Sequence, residues 1–192
     1  MSDPVAALRA GEPVILPTDT VYGLCADAAN AAAVERMYAL KGRGAAQPTA
    51  LLAADVDALL ALVPELPEPL VRRLLPGAYT LILPNPARRY PWLTGANPDA
   101  IGVRVVSLPA EADRAVAAVG CVAATSANSP GGPDPRRIED VPPQLRSGAG
   151  AIVDAGELPG IASTVVDFTG AEPRVLREGA GPVDVALSAA GA

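Results

Sequence analysis

Histidine is absent from the 192 residues. Ser-His-Asp and Cys-His nucleophile chemistry and histidine-ligated metal centres are thereby excluded. Cysteine is scarce. Cys25 and Cys121 lie in apolar runs, make no disulfide framework, and are expected to be small buried hydrophobes. Two cysteines do not make a structural zinc site, so any metal is expected to be hard and oxygen-bound, such as Mg²⁺ carried in with phosphates. No metal ligands from protein side chains are expected. No apolar run reaches the roughly 18–20 residues that span a bilayer. The start M-S-D-P is polar and unlike a secretory leader, so no membrane association and a cytoplasmic location are expected. Neither G-x-x-x-x-G-K-[ST] nor G-x-G-x-x-G after a strand occurs, so P-loop and dinucleotide-fold phosphate binding are not indicated. A net charge of −6 and a pI near 4.6 argue against an electrostatic nucleic-acid binder. The pairs Arg88–Arg89 and Arg136–Arg137 are too short to reverse that.

Lysine is the most informative scarcity. Lys41 is the single lysine among fifteen Lys and Arg residues. A compact ammonium and a planar guanidinium are not interchangeable, so one position kept a point charge in a chain that otherwise uses forks. Asn30 reads as an N-cap, and residues 31–41 read as a helix. Val34, Met37, Tyr38 and Lys41 follow i, i+3, i+4, i+7, which puts Lys41 at the end of the apolar face. Gly42 suits the position past a helix end, and Arg43 follows at once. The pair reads either as an anion pocket for phosphates or as two cations that suit the helix dipole.

Half of the residues are apolar and 19% are charged, with no low-complexity tail, which fits one domain with a sizeable core. Short apolar strands are expected at 13–17, 21–26, 49–54, 79–83, 101–107, 121–125, 151–154, 164–168 and 174–176. Helices are expected at 4–11, 31–41, 56–63 with Asp55 as cap, 67–75, 110–119, 142–147 and 183–189. The alternation argues a three-layer α/β domain with helices on both faces of the sheet. Residues 84–99 form a long irregular stretch of the kind that serves as a lid or a functional insertion.

Five polar groupings interrupt this pattern. Pro17–Gly23 (P-T-D-T-V-Y-G) gathers hydroxyls, a carboxylate and a phenol between two apolar strands, where α/β proteins place ligands. Arg104 sits inside the apolar strand I-G-V-R-V-V and needs a partner, either an internal carboxylate or a ligand carboxylate held bidentately. T-S-A-N at 125–128 leaves a strand into a Gly/Pro-rich loop, 126–137. Ser163–Asp167 places hydroxyls at the head of a strand, and Arg177-Glu178-Gly179 lies near the C-terminus.

In order and spacing, these pieces resemble the YrdC-type threonylcarbamoyl-adenylate synthase family in its short, single-domain form. The resemblance rests on P-T-D-T-V-Y-G-L at 17–24, K-G-R at 41–43, P-G-A-Y-T-L-I-L at 76–83, G-V-R-V at 102–105, T-S-A-N at 125–128, S-T-V-V-D at 163–167 and L-R-E-G at 176–179. It covers residues 5–180 and makes 1–192 one YrdC-like domain without a further C-terminal domain. The fold it implies is a twisted mixed sheet with an open concave active-site face. The reaction it implies is L-threonine, bicarbonate and ATP giving threonylcarbamoyl-AMP and pyrophosphate, with Mg²⁺ accompanying ATP. The product would feed tRNA modification at adenosine 37 through downstream transfer proteins, with weak or no direct nucleic-acid binding by this chain. By this resemblance Lys41, Arg43, Ser126 and Asn128 are catalytic. Thr20, Arg104 and Ser163 meet L-threonine. Lys41, Arg43, Gln47, Ala100, Ala124, Ser126, Asn128, Asp134 and Arg177 meet the nucleotide. The chain departs from the family pattern at Gly44, where Pro is usual, at Leu52, where His is usual, and at Pro130, where Ser is usual. The other readings are a paralogue with a different acceptor and a non-catalytic RNA-binding or ribosome-assembly factor.

Overall fold

The computed structural model describes residues 3–44 and 46–189. Among these, seven α-helices and nine strands form in the order α1 (Pro4–Arg9), β1 (Val14–Pro17), β2 (Tyr22–Asp27), α2 (Ala31–Lys41), β3 (Ala50–Ala53), α3 (Val56–Leu62), α4 (Glu68–Leu74), β4 (Tyr79–Pro84), β5 (Ala100–Val105), α5 (Ala110–Val119), β6 (Cys121–Ser126), α6 (Pro143–Gly148), β7 (Ala151–Ile152), β8 (Thr164–Asp167), β9 (Arg174–Arg177) and α7 (Val183–Ala189). A 3₁₀ turn at Ile138–Asp140, directly after the expected loop 126–137, is an element the sequence reading did not place. The helices start and stop where their caps dictate. Asn30 Oδ1 accepts from Ala33 N at 3.2 Å and Asp55 Oδ1 from Ala58 N at 2.7 Å. Gly42 closes α2 in the left-handed conformation at φ 66°, which costs a residue without a Cβ little.

The strands form one mixed sheet in the order β7-β1-β2-β6-β3-β5-β4-β8-β9. Alternation along each strand sends its residues to two cores. On one face Ile15, Leu24, Leu51, Leu81, Val103 and Val166 pack with α2, α3, α4, α6 and α7. On the other, Val14, Leu16, Cys25, Leu52 and Val122 pack under α1 and α5. Helices do cover both faces, but the second face only in part. Where α1 and α5 end, the same strands present Ala50, Thr80, Gly102, Arg104, Ala124 and Val165 to an open concavity. Cys25 and Cys121 are buried and free, as expected.

Residues 85–99 are pinned to the body. Asn85 is buried and donates to the carbonyls of Arg89 (3.0 Å) and Pro98 (3.2 Å). Trp92 Nε1 donates to Ala28 O at 2.9 Å, and Tyr38 Oη donates to Trp92 O at 3.2 Å. These bonds make the stretch a brace. Leu93 O accepts from Thr49 N at 2.9 Å, so the brace supports the chain leaving Lys41 and Arg43. No helix among the described residues is long and apolar enough to cross a membrane.

Candidate active site

The concavity encloses about 820 Å³. Its floor consists of Gly23, Ala50, Ala100, Gly102 and Ala124, on strands β2, β3, β5 and β6. Neighbouring registers place Ala124 beside both Cys25 and Ala50, and Ala50 beside Gly102. Side chains this small leave the sheet surface low and nearly flat, with room for a ligand to lie against backbone. Polar groups gather at two ends of this floor.

At the first end, α2 delivers Lys41, whose burial leaves it 7% exposed. Its Nζ donates to Thr125 Oγ1 at 3.0 Å, to Asn128 Oδ1 at 3.1 Å and to Ser126 O. All three ammonium protons are therefore spent on T-S-A-N. Asn128 Oδ1 also accepts from Ser126 Oγ at 2.7 Å, and Asn128 Nδ2 donates to Gly132 O at 2.7 Å. Lys41 is thus the hub that shapes this loop, as well as a source of positive charge. Arg43 donates to Thr125 Oγ1 at 3.0 Å and to Pro48 O, while its buried Nε has no partner among the described residues. Burial first and the Arg43 charge second lower the Lys41 pKa to about 8, with Asp134 opposing the shift. Near neutral pH the group stays mostly charged, at the mouth of an anion-sized space.

At the second end, Arg104 Nη2 donates to Asp19 Oδ1 at 3.0 Å and lies 3.4 Å from Thr20 Oγ1. The partner required by a strand-borne arginine is thus an internal carboxylate from the P-T-D-T turn. Burial raises the Asp19 pKa, and the Arg104 charge acts against that rise. Thr20 Oγ1 lies 3.0 Å from Thr18 Oγ1, and Thr18 Oγ1 donates to Val21 O at 2.7 Å, which fixes the turn. Across the sheet Arg177 donates from Nε (3.1 Å) and Nη2 (2.9 Å) to Ser163 O, and from Nη2 to Ser163 Oγ at 3.2 Å. Ser163 Oγ is also 2.8 Å from Thr80 Oγ1.

Lys41, Arg43, Gln47, Ala100, Ala124, Ser126, Asn128 and Asp134 all line the concavity, as do Thr20, Arg104, Ser163 and Arg177. Lys41, Arg43, Ser126 and Asn128 form the first cluster. Thr20 and Arg104 form the second, joined across β4 by Ser163 and Arg177. Arg177 is thereby bonded into the Ser163 group and not into the Lys41 group. Leu52 stands beside Arg104 in the register, but it is buried in the apolar cluster under α1 and α5. Thr80, Thr94 and Asn97, all on the cavity wall, escaped the sequence reading. Thr80 carried a signal, being a lone hydroxyl in Y-T-L-I-L on the face opposite Leu81.

Among the described residues no three His, Cys, Asp or Glu side chains gather as a metal site. Asp167, on the cavity wall, is already engaged by Thr169 Oγ1 at 2.6 Å and by Arg174 at 3.3 Å. The donor set of ammonium, guanidinium, hydroxyl and amide groups fits phosphate and carboxylate oxygens.

Comparison with known proteins agrees with this geometry. The family model Sua5/YciO/YrdC, described as "Telomere recombination", matches residues 6–179. A Mycobacterium leprae protein is 38% identical over 188 residues, covering 95% of this chain and 83% of its own. The threonylcarbamoyl-AMP synthase of Bacillus subtilis is 37% identical over 179 residues, covering 91% of this chain and 51% of its own. The crystal structure of Pyrococcus abyssi Sua5 complexed with L-threonine superposes with a TM-score of 0.86 at 34% identity, over 97% of this chain and 56% of that one. Escherichia coli YciO superposes with a TM-score of 0.80 at 29% identity, over 95% and 90%. The chain spans about half the length of the Bacillus and Pyrococcus proteins and most of the Mycobacterium and Escherichia ones. With a match across nearly its whole length and the polar residues of each motif gathered on one open sheet face, the chain belongs to the Sua5/YciO/YrdC family.

Proposed function

We propose that the protein is a threonylcarbamoyl-AMP synthase, joining L-threonine, bicarbonate and ATP. One observation carries the reading. A cation-and-hydroxyl end suited to phosphates and an arginine-and-hydroxyl end suited to an amino acid share one floor of small residues. Relatives in Bacillus subtilis and Stenotrophomonas maltophilia, 37% and 38% identical, carry the name threonylcarbamoyl-AMP synthase. ATP enters as its Mg²⁺ complex, the metal held by phosphate oxygens as part of the substrate.

The chemistry needs two displacements. The threonine amine bonds to the bicarbonate carbon, one amine proton leaves with the hydroxyl as water, and a carbamate forms. A carbamate oxygen then bonds to the α-phosphorus of ATP, and the bond from that phosphorus to the pyrophosphate oxygen breaks. The protein's task is positioning and charge neutralisation. Arg104, oriented by Asp19 and Thr20, binds the amino acid carboxylate, and Ser163 offers a hydroxyl beside it. Arg43, Ser126 and the loop shaped by Lys41 and Asn128 face the phosphates. Gln47, Ala100, Ala124, Asp134 and Arg177 complete the nucleotide's surroundings. The adenylate is passed to separate proteins that act on tRNA, which makes a cytoplasmic location part of the same reading.

The test is pyrophosphate release with ATP, Mg²⁺ and bicarbonate, with each of the twenty amino acids in turn. Release that requires both L-threonine and bicarbonate is expected. Release with a different amino acid would move the substrate, and no release with any, alongside measurable ATP binding, would overturn the reading.

A further inference from the structure

The strand registers set Arg104 and Arg177 in one row across the open face. Leu81 pairs with Val103, so Thr80 stands opposite Arg104. Thr80 pairs in turn with Val165, and Val165 with Arg177. Three strand spacings separate the two arginine backbones, roughly 14 Å, which two long side chains can close from either side. Between them lie the hydroxyls of Thr80 and Ser163, 2.8 Å apart.

Both guanidiniums are held in place by their inner edges. Arg104 spends Nη2 on Asp19 and Thr20, and Arg177 spends Nε and Nη2 on Ser163. In each, Nη1 has no protein partner among the described residues, and both residues line the cavity. The charges feel one another: after burial, and against Asp19, the Arg177 charge is a further influence lowering the Arg104 pKa.

A free amino acid fits this arrangement poorly. It carries one carboxylate for one guanidinium, and its ammonium would meet the other. N-carboxylation exchanges that ammonium for a neutral N–H and adds a second carboxylate. We propose that Arg104 and Arg177 form a two-guanidinium seat for the N-carboxylated amino acid, Arg104 taking the α-carboxylate and Arg177 the carbamate carboxylate. This deepens the synthase reading and rests on it. Arg177 then meets both partners of the second displacement, because the carboxylate it holds is the group that attacks the α-phosphate. Thr80 and Ser163 set the spacing between the two anionic groups.

The experiment is calorimetric titration of the full chain, without nucleotide, using L-threonine and 2-(1-hydroxyethyl)butanedioate. The latter replaces the carbamate N–H with CH₂ and keeps both carboxylates. The dianion is expected to bind at least about tenfold more tightly than L-threonine, about 1.4 kcal/mol. Arg177→Gln is expected to erase that margin, costing the dianion at least about tenfold more affinity than it costs L-threonine. Arg174→Gln, an exposed arginine of the same strand, should keep the margin and so control for general charge. Threonine binding with no margin in the parent, or a margin that survives Arg177→Gln, overturns the seat and leaves the synthase reading standing. Failure of both ligands to bind, with no threonine-dependent pyrophosphate release, overturns both.

Discussion

Replacing Lys41 by Arg tests the hub at the phosphate end. The ammonium meets three acceptors that converge on one atom: Thr125 Oγ1 at 3.0 Å, Asn128 Oδ1 at 3.1 Å and the carbonyl of Ser126. A guanidinium spreads its donors over a plane, so it cannot serve three acceptors arranged around one tetrahedral centre. At least one is lost, and a hydrogen bond from a charged donor is worth about 1.5–3 kcal/mol. If that loss falls on the arrangement of Ser126 and Asn128 in the transition state, kcat/KM for ATP drops by at least about tenfold. Lys41→Met removes all three bonds and leaves their acceptors unmatched, so a drop of about a hundredfold or more is expected on the same scale. Pyrophosphate release at saturating L-threonine and bicarbonate reads both. Melting curves show whether the variants remain folded. A Lys41→Arg enzyme within twofold of the parent would refute the reasoning, because charge alone would then suffice.

The same group sets a pH dependence. Its folded pKa of about 8 lies below the ordinary 10.5, so activity should fall as pH rises through about 8 and the ammonium loses a donor. Between those two values the unfolded chain binds more protons than the native one, so this group's contribution to stability rises with pH. Activity should therefore fall there without a drop in melting temperature attributable to Lys41. Tyr22→Phe removes a buried hydroxyl that accepts from Ala155 N at 3.0 Å and reaches Gly156 O at 2.8 Å and Asp154 Oδ1 at 3.0 Å. A loss of about 1–3 kcal/mol in denaturant unfolding is expected. Gly95→Ala places a Cβ 2.5 Å from Ala46 O and 2.8 Å from Pro48 N, at φ +61°. It should push the Arg43-bearing segment outward and raise KM for ATP several-fold in steady-state kinetics, with little change in KM for L-threonine.

The sequence was legible wherever a local rule decided the outcome. Asn30, Gly42 and Asp55 marked helix ends by capping chemistry, and the structure places helix boundaries there. Lys41 was readable because helical spacing put a charge on an apolar face. The pairing of strands distant in sequence was not readable in that way, and it decides what each polar residue meets. Arg104 required a partner, but Asp19, 85 positions away, was indistinguishable from a ligand carboxylate until the P-T-D-T turn folded back over β5. Residues 84–99 looked like an insertion because their anchors are single contacts to remote carbonyls, such as Trp92 to Ala28. The continuous apolar strands suggested helices over both faces. They gave no sign that α1 and α5 stop short, since alanine and glycine serve equally well under a helix or as an open floor.

The two ends of the site rest on different kinds of structure, and the difference matches their chemical tasks. Arg104, Thr80 and Arg177 stand on paired strands, where register fixes their separation and a one-residue slip would turn each side chain to the opposite face. Placement of a side-chain group relative to carboxylates that every N-carboxylated amino acid shares is what selects one amino acid over another, so rigid mounting suits that end. Lys41, Arg43, Ser126 and Asn128 stand at a helix end, at a strand end and on loops, held by side-chain bonds to Thr125, Pro48 and Gly132. A phosphate chain that loses pyrophosphate changes charge and length during the reaction, and loop-borne donors can follow it. Discrimination among amino acids should therefore depend on the strand row, and discrimination among nucleotides and release of pyrophosphate on the Lys41 hub. Leu52 belongs to the first group by position. Its side chain is buried in the apolar cluster under α1 and α5, next to Arg104 in the strand register. A histidine there would bring a polar ring into that cluster, whereas leucine leaves Arg104 held by Asp19 and Thr20 alone.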